Sequence, residues 1–215
     1  MVNRGRATIA LKLILIAANV CFLVFYVSGW TKPSGQSNKK TIIQRVSYLK
    51  YPVEISFELK GQPLRSTKAV DQRIRTEEFD GDRDWLKDLK IKIKNISGKT
   101  ITYVQVNLLF PEVVKDDAVA SHQIHLGIDP NGKSSGPELR LEPDESLEIP
   151  LAEKHKDITD LVKIVGKGLS VESVSKVEVE FHAALWEDGT LFQTGELFRR
   201  NTDPNDPHKW IKINE

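Results

Sequence analysis

Leu89, Ile91 and Ile93 alternate strictly with Lys90, Lys92 and Lys94. A period of two sends alternate side chains to opposite faces of an extended chain, so this segment buries one face and wets the other. The pattern recurs at Val53, Ile55, Phe57 and Leu59, and again at Val104, Val106, Leu108 and Phe110, where Pro111 is expected to end the strand. It returns at Val177, Val179, Phe181, Ala183 and Leu185, with Lys176, Glu178, Glu180 and His182 facing water. Two turns are expected to fold neighbouring strands into hairpins. Asn95 to Thr100, which contains Gly98, would join the strand at Leu89 to the one at Val104. Glu187-Asp188-Gly189-Thr190 would close a second hairpin onto a strand from Leu191 to Leu197, the Asp-Gly pair supplying the positive φ angles of a primed turn. One helix is expected from Ile158, Leu161, Val162, Val165 and Leu169, with Asp157 as N-cap and Gly166 and Gly168 as its stop. The fold class is therefore mainly β, an antiparallel β-sandwich with one short helix.

The chain opens differently. Arg4 and Arg6 precede an apolar run from Ala7 to Val27, broken only by Lys12 and Asn19. About 20 apolar residues cross a bilayer core, and Lys12 is close enough to the helix start for its ammonium to reach the headgroups. Residues 1–30 read as a signal anchor or as a cleaved signal peptide; no Ala-x-Ala site is present, and Ala18-Asn19-Val20 does not prepare Cys21 for lipid attachment. Residues 31–41 read as a flexible linker and 42–215 as one extracytoplasmic domain. The expected location is a single-pass membrane protein with its N-terminus cytoplasmic, or a secreted or periplasmic protein after cleavage.

The 31 basic and 30 acidic residues leave a net charge of +1. No global field draws the chain to nucleic acid. The single Cys lies in the leader, so the domain is held by packing rather than by disulfides.

Lys94-Asn-Ile-Ser-Gly-Lys-Thr-Ile-Thr-Tyr-Val-Gln-Val106, followed by Leu141-Glu-Pro-Asp-Glu-Ser-Leu-Glu-Ile149, resembles immunoglobulin-like or fibronectin-III-like domains of bacterial exported proteins. Trp186-Glu-Asp-Gly-Thr-Leu-Phe192 is similar to hairpins of bacterial secreted sandwiches. The likeness spans Ile91 to Phe198 and has Asp144 where the pattern has Gly. It implies a domain that binds, spaces or scaffolds, and it implies no catalytic residue.

Gly127-Ile-Asp-Pro-Asn-Gly132-Lys133-Ser134 satisfies the phosphate-loop spacing, but Ser135-Gly136-Pro137 follows where a helix must begin. Asp129-Pro130-Asn131-Gly132 reads instead as a type I turn, and no nucleotide is expected. His122 and His125, three apart on a strand, point to opposite faces and do not share a metal. His155, His182 and His208 are scattered, and Asp203, Asn205 and Asp206 read as turn formers before calcium ligands. Asn95-Ile96-Ser97 is a formal glycosylation acceptor on an exposed turn. No cofactor or metal is expected. The leading reading is a non-catalytic, membrane-anchored or exported domain that contacts a protein partner or an envelope component. Trp186, Arg199, Arg200 and Trp210 are its partner-binding candidates, because guanidinium and indole groups suit such a contact. The other reading is an extracytoplasmic hydrolase whose carboxylates or histidines are assembled from distant strands.

Overall fold

The computed structural model describes residues 38–45, 51–64, 68–71, 74–130, 137–203 and 209–213. The apolar run 7–27 lies outside them, as does the expected linker up to residue 37. Residues 39–41 of that linker belong to the first strand. Among the described residues no helix is long and apolar enough to cross a membrane.

The domain is mainly β, with two sheets and one short helix. In chain order the strands are β1 (Lys39–Arg45), β2 (Val53–Leu59), β3 (Gln62–Pro63), β4 (Lys68–Asp71), β5 (Ile74–Asp80), β6 (Leu89–Asn95) and β7 (Ile101–Lys115). They continue as β8 (Ala118–Gly127), β9 (Ser146–Pro150), β10 (Lys176–Trp186), β11 (Thr190–Gln193), β12 (Glu196–Arg200) and β13 (Trp210–Lys212). The helix, α1, is His155–Val165. Among the described residues the smaller sheet runs β3-β2-β6-β9 and the larger runs β13-β12-β11-β10-β1-β5-β4. The long strand β10 organises the larger sheet: β1 and then β11 occupy one edge, while β7 lies along the other and carries β8 beyond it. The β1–β10 pair is parallel, which departs from the wholly antiparallel expectation. Ile91 and Ile93 of the small sheet and Val106, Leu108, Val179 and Phe181 of the large one join a single apolar core, all exposed by 1% or less. Trp85, in a single helical turn after β5, is also fully buried and donates its indole N–H to Val174 O at 3.0 Å.

Several expected joints differ. β6 and β7 do not pair as a hairpin; β6 pairs with β2 and β9, and β7 with β10 and β8. Residues 95–100 thus carry the chain from one sheet to the other. Asn95 explains this: it is fully buried, its Nδ2 donates to Lys99 O and Leu141 O, both at 2.9 Å, and its Oδ1 accepts from Ser97 N and Ser97 Oγ. All four hydrogen-bonding positions of the amide are engaged. The glycosylation motif expected on an exposed turn therefore has its acceptor amide in the core. Strand β7 also runs past Pro111 to Lys115, because Pro111 to Val113 form a bulge opposite β8, between Phe110 and Val114, where a missing N–H costs no ladder bond. Glu112 on that bulge accepts from Ser175 N at 2.7 Å and Lys176 N at 3.1 Å, fixing the entry to β10.

The run from Leu191 to Leu197 is two strands, not one. Thr194 and Gly195 take φ of 47° and 86°, a two-residue turn that folds β12 back on β11. At Asp188-Gly189 only Gly189 has positive φ, so that turn is not the primed type expected. The helix starts at His155 after a 3-10 turn and ends at Val165, which places Asp157 inside its first turn and Leu169 beyond its end. Ile158 and Val162 are its core anchors.

Glu77 is the one exception in the core. Its residue is 7% exposed, and among the described residues its Oε2 has no hydrogen-bond partner. Burial pushes its carboxyl up to about 7, with Arg75 opposing. The folded state then holds a proton that the unfolded chain releases from about pH 4.5 upward, so stability falls as pH rises from there to about 7 and stays lower above it. Glu77→Gln is expected to flatten that fall and to stabilise the chain at pH 8 by at most about 3 kcal/mol, read by urea unfolding at pH 5 and 8. Asn95→Ala, which removes all four hydrogen bonds of the buried amide, is expected to cost about 3 kcal/mol at either pH, seen in the same titrations.

Candidate functional site

A bulge at His182 decides where side chains of the large sheet point. Phe181 lies opposite Val106 but Ala183 lies opposite Gln105, so β10 carries one extra residue there. Before the bulge Val177, Val179 and Phe181 face the shared core. After it Ala184 and Trp186 face the core, while Ala183 and Leu185 face the other side. The expected unbroken face from Val177 to Leu185 is thus split. Tyr103, opposite Leu185, faces away from the core with it, and a second slip after that pair sets Ile101 opposite Trp186 on the core side.

The split gives strands β10 to β13 a recess on each face. On the core side, Tyr51, Pro52, Ile96, Trp186, Phe192, Leu197 and Ile213 line a cleft of about 540 Å³. Tyr51 meets Phe181 edge-on at 5.7 Å and Phe192 at 5.9 Å, which stiffens the floor. Trp186 is 7% exposed, and its indole N–H donates to Ser97 Oγ at 2.9 Å. The Lys99 ammonium lies 5.5 Å over its ring and pairs with Asp188 at 2.8 Å. The charged side chains at the cleft, Glu196 and Lys212, pair with each other.

On the outer face a smaller recess of about 110 Å³ is lined by Tyr103, Gln105, Asp129, Pro130, Ala183, Leu191, Gln193 and Trp210. Tyr103 Oη lies 2.7 Å from His125 Nδ1 and donates to Gln105 Oε1 at 3.3 Å. Burial, with Asp129 adding to it, pushes the Tyr103 phenol up to about 12. The phenol is therefore protonated at any physiological pH and acts as a hydrogen-bonding group rather than a base.

The four residues singled out in the sequence are not on one surface. Trp186 is in the core-side cleft. Trp210 sits opposite Arg200 in the β12–β13 register, half-buried at the outer recess, and Arg200 is exposed beside it. Arg199 is exposed too, but its register neighbours are Thr190 and Ile211, which places it on the other face from Arg200. Tyr51, Phe192 and Leu197 in the cleft, and Tyr103, Gln105 and Gln193 at the recess, went unnoticed in the sequence. The doublet Ala183-Ala184 was the available signal, since two small apolar neighbours inside a period-two strand mark a change of phase.

The other motifs have structural explanations or fall outside the described residues. Gly127 closes β8 with φ of 87°, and a Cβ there would meet Thr102 O at 2.1 Å. Lys133 and Ser134 lie outside the described residues, as do Asn205, Asp206 and His208. His122 lies opposite Leu108 and His125 opposite Gln105, on opposite faces of β8; burial lowers the His122 imidazole below its usual value. Among the described residues no group of three His, Cys, Asp or Glu side chains is placed to hold a metal ion. Comparison of the chain with family models, with curated proteins and with solved structures finds no match.

Proposed function

We propose that this chain is a non-catalytic binding domain of immunoglobulin-like sandwich type, held at a membrane by residues 7–27, which grips a partner polypeptide in the cleft beside Trp186. The observation that carries the reading is the cleft itself. A space of about 540 Å³ falls in the range of ligand sites, and its lining sets the aromatic and aliphatic residues Tyr51, Trp186, Phe192 and Leu197 beside the polar Ser97, Glu196 and Lys212. Glu196 and Lys212 neutralise one another there, so the cleft presents no unbalanced charge to its occupant. The occupant that fits is an extended segment bearing one aromatic or branched apolar side chain. β13 runs past the cleft at the end of the large sheet's strand order, so a partner strand laid along it adds main-chain hydrogen bonds while alternate side chains enter the cleft.

The N-terminal run supplies the location in this reading. With Arg4 and Arg6 inside and the domain outside, the partner is an extracytoplasmic protein.

Random peptides displayed on phage and selected on the full chain are expected to enrich sequences with a shared aromatic or aliphatic residue. Leu197→Glu, which puts a charge into the cleft, is expected to weaken the selected peptides by at least about tenfold, or about 1.4 kcal/mol. Selection that enriches nothing, or peptides indifferent to Leu197→Glu, overturns the proposal.

A further inference from the structure

The two sheets wear different chemistry on their solvent sides. On the small sheet Lys90 and Lys92 alternate with Glu58 and Glu148 in four ion pairs of 2.9 to 3.4 Å, the ordinary surface of a solvated sheet. The outer face of the large sheet has a different make-up around the 110 Å³ recess. Register places Tyr103, Gln105 and Asn107 of β7 in one row, His125 and Gln123 of β8 beside them, and Gln193 of β11 across β10. These side chains are joined to one another: Gln105 Nε2 donates to Asn107 Oδ1 at 3.2 Å, and Gln193 Nε2 is 3.4 Å from His182 Nε2. Trp210 and Phe198 then extend the recess with an aromatic shelf that packs on Tyr103, Ala183 and Leu191.

We infer that this outer face is a binding site for a neutral polysaccharide chain, separate from the apolar cleft. The geometry matches what a sugar ring presents. Each ring has hydroxyls at its rim that donate and accept at once, and a C–H face that is apolar. A primary amide offers a donor and an acceptor on one plane, so the half-buried Gln105 and Gln193 suit adjacent hydroxyls, while the buried Tyr103 phenol, engaged with His125 and Gln105, holds Gln105 in place. The Trp210 indole suits the C–H face, and a half-buried aromatic is already desolvated on one side. A recess of about 110 Å³ cannot enclose a ring; it takes one edge of a sugar while the chain lies across the sheet. Asp129 lines the recess and the Tyr103 phenol stays neutral, so the recess itself offers no cation to an anionic polymer, and Arg200 stands outside its lining, beside Trp210. The site is independent of the cleft beside Trp186, so either can fail without the other.

Calorimetric titration of the full chain with cellohexaose, chitohexaose, maltohexaose and mannohexaose tests this, in a zwitterionic detergent because glycoside detergents would compete. At least one is expected to bind with a Kd below about 1 mM, with hyaluronate binding none. Trp210→Ala and, separately, Gln193→Ala are each expected to weaken that binding about tenfold, whereas Leu197→Glu in the cleft leaves it unchanged. Thermal unfolding of each variant separates a lost contact from a lost fold, and Gln193→Ala covers the case in which Trp210→Ala does not fold. No binding by any of the four sugars, binding indifferent to both outer-face variants, or preference for hyaluronate overturns the inference.

Discussion

The Asn95 amide is the constraint on which both the architecture and the cleft depend. Where the chain leaves one sheet to enter the other it starts from a residue buried at the edge of the core, where unpaired polar groups are costly. Asn95 resolves this with one neutral side chain whose two donors and one acceptor oxygen close the loop on itself and on Leu141. The same Oδ1 holds Ser97 Oγ, and Ser97 Oγ accepts the Trp186 indole N–H. A crossover device is thereby continuous with the wall of the cleft. Rigidity at Trp186 comes from the loop that joins the sheets, not from β10 alone.

Strand β10 adds the second determinant. Its partners change along its length, from β1 to β11 on one edge, and a strand passing from one neighbour to another needs local twist. The extra residue at His182 supplies it and also inverts which side chains reach the core. One bulge therefore explains why Trp186 faces inward, why Ala183 and Leu185 face outward, and why this sheet carries an apolar cluster on each side. Without that inversion Ala184 and Trp186 would continue the outer row of Glu178, Glu180 and His182, and the Trp186 indole would leave the core.

The strands were legible in the sequence wherever period two held without interruption. Leu89 to Ile93 and Val53 to Leu59 sit face for face as their spacing implies. Pairing was less legible, because alternation says which face is buried but not which strand lies alongside. A Gly-containing loop looks the same between hairpin strands as between sheets, and only the burial of Asn95 separates them. Thr194-Gly195 hid inside an apolar run because Leu191, Phe192 and Leu197 mask a turn of two residues. Asp144 has φ of 67°, the left-handed region that favours glycine, and its residue type alone does not announce that. The candidate site was legible only as residue types. Trp186 and Trp210 are both functional candidates by chemistry, but the phase change between them divides them between two faces, and only the Ala183-Ala184 doublet marks it in the sequence.

The two recesses also differ in what their electrostatics permit. In the core-side cleft the charges are paired off, so affinity there must come from apolar area and shape. On the outer face the amides of Gln105 and Gln193 are neutral but strongly directional, and burial keeps the Tyr103 phenol protonated. There the protonated phenol meets the His125 imidazole at 2.7 Å. The two faces thus differ in physical means: desolvation on one side of the sheet, directional hydrogen bonding on the other. That division is possible because the bulge at His182 gives one sheet two partly apolar faces, where a regular strand would give it one.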